Sequence, residues 1–197
     1  MMSQSPPPDS PAVRRGMIRK RALAVREAAP IEKRAMWEAA IMGHLDTLIG
    51  QLAPHVLAFC WPHRAEADCC KWVEQWLSEN ANCIAALPVV ERQDAPLVFR
   101  RWTPGAELTL GAHGIPFPSQ GERVTPDVML IPLNAFDARG YRLGYGGGYF
   151  DRTLAAIKTV AVGIGFELAR ERDVFPQPHD CAMNWIVTEA GVWEGRN

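Results

Sequence analysis

The chain reads as a single α/β domain, with helices layered on a mainly parallel sheet. Short apolar runs of strand length alternate with longer helical stretches, which is the order of βαβ units. The chain has 197 residues, nearly half of them apolar, which suits one medium-sized domain with one core. Between Pro126 and Lys158 a strand, a glycine-rich loop and a helix follow one another. α/β proteins bind nucleotides in that order, at the carboxyl edge of a sheet.

Taken in order, residues 1–12 are rich in Ser and Pro and predict a disordered tail. The domain then runs over 13–197. Residues 13–29 read as a basic helix with Arg14, Arg15, Arg19, Lys20, Arg21 and Arg26. Arg15 and Arg19 lie one helical turn apart on one face, and Arg26 falls on nearly the same face. Taken alone, such a run is ordinarily a solvated face. A second helix runs from Ile31 to Leu52, with Ile41, Leu45 and Leu48 as its apolar stripe, and Pro54 ends it. His55 to Trp61 reads as a buried strand, followed by a turn and a helix over 68–79. Strands are expected over 83–90 and 97–102, with a turn at Thr103-Pro104-Gly105. The proline-bounded run Val128 to Leu133 is a strand that leads into a turn at Asp137 to Gly140. Residues 149–158 are helical, with Leu154 and Ile157 three apart, and 159–166 is a strongly apolar strand. Trp185 to Thr188 is a final short strand, and no internal repeat is visible.

The chemistry concentrates in Tyr141-Arg142-Leu143-Gly144-Tyr145-Gly146-Gly147-Gly148-Tyr149-Phe150-Asp151-Arg152. Glycine permits positive φ and lets a ligand approach bare amides. Such amides ahead of a helix form an anion seat. Arg142 and Arg152 add charge suited to phosphate oxygens, and Asp151 adds a hard ligand for magnesium. The run is neither a P-loop nor a complete dinucleotide fingerprint. Glu66 stands in the turn that enters the helix over 68–79, where an acid suits the macrodipole. It is also a carboxylate able to accept hydrogen bonds from the N–H groups of a heterocycle. Trp102, Ile115 and Phe117 read either as core or as an apolar wall for a flat ring. His179 and Asp180 are expected to fix a late loop through backbone hydrogen bonds.

The net charge of −1 gives no global field toward nucleic acid or membrane, and no apolar run approaches a membrane span. No signal-peptide pattern opens the chain. Five cysteines without CxxC spacing or a zinc-type histidine partner read as reduced thiols of a cytoplasmic protein.

The stretch Pro126 to Arg152 resembles the signature of the 5-formyltetrahydrofolate cyclo-ligase family, also called 5,10-methenyltetrahydrofolate synthetase. That signature is PD-apolar-P-x-x-x-FD-x-x-G-x-RLG-x-G-x-GYYDR, and only its second tyrosine is replaced here, by Phe150. Gly114-Ile115-Pro116-Phe117-Pro118 and Val174 to Asp180 are also family-like, with Phe117 where a polar residue is usual. The resemblance implies a Rossmann-like core of the isomerase and CoA-transferase type, with the N-terminal helices packed on it. It implies ATP and Mg²⁺ as cofactors and a reduced folate as substrate. By this resemblance Arg15, Arg19, Arg142, Leu143, Gly144, Tyr145, Gly146, Gly147, Gly148, Tyr149 and Phe150 form the nucleotide site. Asp151 and Asp127 would hold the metal, and Glu66, Trp102 and Tyr149 the folate. Arg142 and Tyr149 are the catalytic candidates. Many members carry lysine at Gly147, so here Arg15, Arg19 and Arg142 must supply the positive charge. The reading leaves monomer and homodimer open and expects neither nucleic acid nor membrane as partner. The rivals are a non-catalytic folate or nucleotide binder, an isomerase or CoA transferase on the same fold, and a nucleic-acid binder using the basic helix.

Overall fold

The computed structural model describes residues 10–111 and 114–195. The expected disorder of residues 1–9 lies outside these. At 10–12 the expectation is corrected, because helix α1 (Pro11–Ala28) begins there. Ser10 caps it by accepting the Val13 N–H, and Pro11 occupies a first-turn position that lacks an N–H partner in any helix. Helix α2 (Ile31–Leu52) buries Ile41, Leu45, Leu48 and Ile49, and ends where Ala53 turns left-handed before Pro54.

Strand β1 (Val56–Ala58) is buried throughout and shorter than the expected 55–61. Helix α3 (Cys70–Glu79), β2 (Ile84–Val89) and β3 (Val98–Trp102) follow. Next come the ribbon β4 (Leu108–Leu110) with β5 (Pro116–Pro118), the short β6 (Arg123–Val124) and the central β7 (Val128–Pro132). A second ribbon, β8 (Ala135–Phe136) with β9 (Arg142–Leu143), is closed by the expected turn, with Gly140 at φ 90°. Helix α4 (Tyr149–Ala156), β10 (Val160–Ile164), β11 (Trp185–Thr188) and β12 (Gly191–Glu194) complete the chain. The sequence reading did not include β12.

The main sheet has the order β12-β11-β10-β7-β1-β2-β3-β6. The run β2-β1-β7-β10-β11 is parallel, and the edges β12, β3 and β6 are antiparallel. From β1 the chain winds outward to β2, then returns to β7 and winds the other way. The switch point therefore falls between β1 and β7, where the carboxyl ends diverge and leave a crevice.

Both faces of the sheet are covered, as a parallel sheet requires. Leu57, Leu130, Val162 and Val187 face Ile41, Leu45 and Val73 of α2 and α3. Their neighbours Ala58, Met129, Ala161 and Ile186 turn to the opposite face, against Phe150, Leu154 and Ile157. Helix α1 does not join the α2–α3 layer. Its Ile18 and Ala22 pack with Ala135, Leu143 and Val174, on the small ribbon. That contact sets the basic face of α1 beside the glycine loop. Among the described residues, no helix is long and apolar enough to cross a membrane.

Candidate active site

A crevice of about 510 Å³ opens at the switch point. Cys60 and Trp61 beyond β1, Pro88 at the end of β2 and Pro132 at the end of β7 line it. The glycine loop, two arginines of α1 and the β4–β5 ribbon complete its walls.

The loop is built as its composition requires. Gly146 has φ 100°, and Gly148, the N-cap of α4, has φ 67°, values that side chains other than glycine rarely adopt. Arg19 donates from Nε to the Gly144 carbonyl at 2.9 Å, which ties α1 to the loop. Burial, then the nearby Arg15 charge, lowers the pKa of Arg19 from its ordinary value. Arg15 forms a two-pronged pair with Asp180 and donates to the Phe175 carbonyl. Asp180 also accepts the Gln177 N–H, so it fixes the late loop as expected and anchors Arg15 as well. Burial alone would raise the Asp180 pKa, but the Arg15 hydrogen bond, the Gln177 N–H and the Arg15 charge outweigh it and hold the carboxyl below its usual range.

Arg142 is the most telling residue. It is 6% exposed and lines the crevice, yet its Nε and Nη2 have no hydrogen-bond partner. Its guanidinium lies 5.4 Å from the centre of the Phe150 ring and 3.4 Å from Asp151 Oδ2. Buried donors that make no hydrogen bond are costly and rare, and here the Asp151 carboxylate and the Phe150 ring are what the guanidinium faces. Asp151 lines the same wall, its Oδ1 accepting the Cys181 N–H.

Glu66 also lines the crevice, in the loop after β1. Arg64 and Ala65 ahead of it are both left-handed, at φ 49° and 58°. Its Oε2 accepts the His63 N–H at 3.0 Å and its Oε1 accepts the Tyr145 hydroxyl at 2.8 Å. Burial pushes its carboxyl above the usual range, against the Tyr145 hydrogen bond and the Arg26 charge. Tyr149, Phe150, Ile115 and Phe117 line the crevice, as do His63 and His179.

The structure thus brings together Arg15, Arg19, Glu66, Arg142, Gly144 to Asp151 and the apolar pair Ile115 and Phe117. Four expectations are corrected. Asp127 precedes β7 at the amino end of the sheet, opposite the crevice, where its Oδ2 accepts the N–H groups of His55 and Val56. Its position before the strand rather than after it puts a shared metal with Asp151 out of reach. Trp102 is core, 3% exposed and packed edge-on against Phe59 at 5.1 Å. Arg152 braces the loop, donating to the Gly147 carbonyl and pairing with Asp94, instead of facing the crevice. Leu143, expected in the nucleotide site, is the fourth correction: it is fully buried under α1, off the crevice, and supports the loop from below. Sequence reasoning did not single out Arg26, which lies behind the crevice wall and donates to the Tyr145 hydroxyl; its register on the face of Arg15 and Arg19 was the available signal.

A doubly wound α/β fold with a glycine loop and arginines at its switch point presents bare amides and cations at the carboxyl edge of its sheet. A sequence model of the 5-formyltetrahydrofolate cyclo-ligase family matches residues 11–189. The chain belongs to that family and is an enzyme of it. It is 31% identical over 188 residues to the 5-formyltetrahydrofolate cyclo-ligase of Escherichia coli K12, covering 90% of this chain and 100% of the relative. A Mycolicibacterium smegmatis relative of the same name is 35% identical over 114 residues, 52% of this chain and 58% of its own. The structure of Aquifex aeolicus 5,10-methenyltetrahydrofolate synthetase superposes with a TM-score of 0.80 at 29% identity, covering 93% of each chain. The Mycoplasma pneumoniae synthetase shares the fold, with a TM-score of 0.72 at 22% identity over 89% of this chain and 98% of its own.

Proposed function

We propose that this crevice binds 5-formyltetrahydrofolate beside ATP and Mg²⁺, and closes the folate to 5,10-methenyltetrahydrofolate with release of ADP and phosphate. The observation that carries this reading is Arg142, a buried guanidinium beside the glycine loop whose Nε and Nη2 make no hydrogen bond. Arg142, Arg19 and the amides of Gly146, Gly147 and Gly148 seat the phosphates, and Arg15, paired with Asp180, flanks them from α1. Transfer of the terminal phosphoryl group turns the formyl oxygen into a leaving group for ring closure by N10.

Phosphoryl transfer asks for positioning and charge neutralisation more than for a protein nucleophile, and these residues supply both. Asp151 would hold magnesium. Among the described residues no cluster of three or more metal-ligating side chains exists. One carboxylate with phosphate oxygens is a usual magnesium arrangement, so the donor set fits. Glu66 accepts the ring N–H groups of the folate, Tyr149 orients it, and Ile115 with Phe117 gives its flat ring an apolar wall. Phe150 lacks a hydroxyl and moves no proton; it stacks on Arg142. All five cysteines are free, which fits a cytoplasmic enzyme.

The test follows the methenyl-folate absorbance with 5-formyltetrahydrofolate and Mg²⁺, with and without ATP. Growth of the band only with ATP supports the reading. A folate-induced rise in Tm without turnover replaces it with a binding role.

A further inference from the structure

Arg26 stands out on α1. The helix is largely exposed, yet this arginine is 3% exposed and each of its three nitrogens donates to a main-chain or side-chain group around the switch point. Its Nε donates to the Arg64 carbonyl at 3.0 Å, its Nη1 to the Leu133 carbonyl at 3.3 Å and its Nη2 to the Tyr145 hydroxyl at 2.7 Å. Those partners belong to the loop after β1, the segment after β7 and the glycine loop. One side chain therefore ties together the three segments that meet at the crevice. Lysine, with a single nitrogen, cannot reach three such directions at once.

The Tyr145 hydroxyl accepts from Arg26 and donates to Glu66 Oε1, so it relays the cation to the carboxylate. Arg26 Nη2 itself stands 3.9 Å from that oxygen. The Arg64 carbonyl belongs to the left-handed pair Arg64 and Ala65 that aims Glu66, and left-handed non-glycine residues persist only where their surroundings hold them.

We propose that Arg26 is a positioning residue of this enzyme: through the Tyr145 hydroxyl and the Arg64 carbonyl it holds the Glu66 carboxylate in one orientation toward the substrate. The inference rests on the reading that Glu66 receives the folate ring. The groups facing Glu66 are Arg26 from α1, Tyr145 from the glycine loop, His63 of its own loop, and the thiols of Cys60 and Cys69 beside the small cavity beneath it. Arg26 is the one cation acting on the carboxylate in this set, and its loss raises the pH needed to ionise Glu66.

The experiment compares Arg26→Gln, Arg26→Lys and Tyr145→Phe with the wild type in the ATP-dependent methenyl assay. KM is measured for 5-formyltetrahydrofolate and for ATP, and kcat/KM for the folate is followed against pH. Arg26→Gln is expected to raise the folate KM by roughly tenfold or more, as loss of a charge-assisted contact does. The ATP KM stays within about twofold, and the acid limb of the folate profile moves to higher pH. Tyr145→Phe moves both readouts the same way by less, and Arg26→Lys restores the acid limb further than it restores KM. A folded Arg26→Gln with an unchanged folate KM and acid limb overturns the proposal, as does an equal rise in the ATP KM. Should Arg26→Gln fail to fold, an unchanged folate KM and profile in Tyr145→Phe overturns it. Glu66→Gln separates the two levels: an unchanged folate KM in that variant overturns the folate reading itself, and this inference with it.

Discussion

Replacing Arg142 by methionine should separate function from stability. The side chain keeps much of its length and loses its charge. Its buried Nε makes no hydrogen bond, and such a group costs the folded state about 1–3 kcal/mol, which the substitution relieves; its Nη2 faces Asp151. Against that stands the Phe150 ring contact, worth about 0.5–2 kcal/mol. The Asp151 pair is lost as well; its separation of 3.4 Å makes it a loose one, and Asp151 keeps the Cys181 N–H. These effects nearly cancel, so the fold should change by less than about 2 kcal/mol, or roughly 4–8 °C in Tm. Losing a preorganised donor at a site of developing negative charge costs about 2.7–4 kcal/mol of transition-state stabilisation, or roughly a hundredfold to a thousandfold in kcat. The assay is the ATP-dependent methenyl absorbance, run beside a thermal melt. A folded variant that keeps wild-type kcat/KM for ATP would refute the phosphate role of Arg142. A collapse in Tm would refute the cancellation.

Further substitutions test the rest of the frame. Gly148→Ala places a Cβ at φ 67°, about 1–2 kcal/mol of strain, with Arg152 Nη1 only 3.3 Å away; a lower Tm and a higher ATP KM are expected. Trp102→Ala empties a core position and should cost about 3–5 kcal/mol, while the folate KM, measured below the new Tm, stays put. Asp127→Ala removes a carboxylate that accepts two backbone N–H groups, so stability falls without any change in the Mg²⁺ dependence of activity, whereas Asp151→Asn raises the Mg²⁺ requirement. For Asp180, the folded carboxyl titrates below its unfolded value, so its stabilisation is present at neutral pH and disappears as pH falls through the folded pKa. The Tm gap between wild type and Asp180→Asn should therefore be open at neutral pH and close under acid. A gap independent of pH would contradict the Arg15 pairing.

Much of this enzyme was fixed by local composition. Glycines at 146 and 148 permit the positive φ the loop adopts, Pro54 stops α2, and the short apolar runs at 128–132 and 160–164 suit strands covered on both faces. The glycine loop was legible as one run of adjacent residues and Glu66 through the family resemblance; both line the crevice. What tertiary structure alone decided depends on direction and distance. Asp127 and Asp151 are both acids in one motif, yet the strand between them carries one to each edge of the sheet. Arg152 and Arg142 flank the same glycines, yet one turns outward to Asp94 and the other is buried in the crevice wall. Trp102 could pack either way until Phe59 claimed its ring. Arg26 met its partners Arg64, Leu133 and Tyr145 only when α1 settled on the β8–β9 ribbon, because they come from segments far apart in sequence. Periodicity specifies which face of an element is apolar; it carries no record of which distant carbonyl or hydroxyl a long side chain will meet.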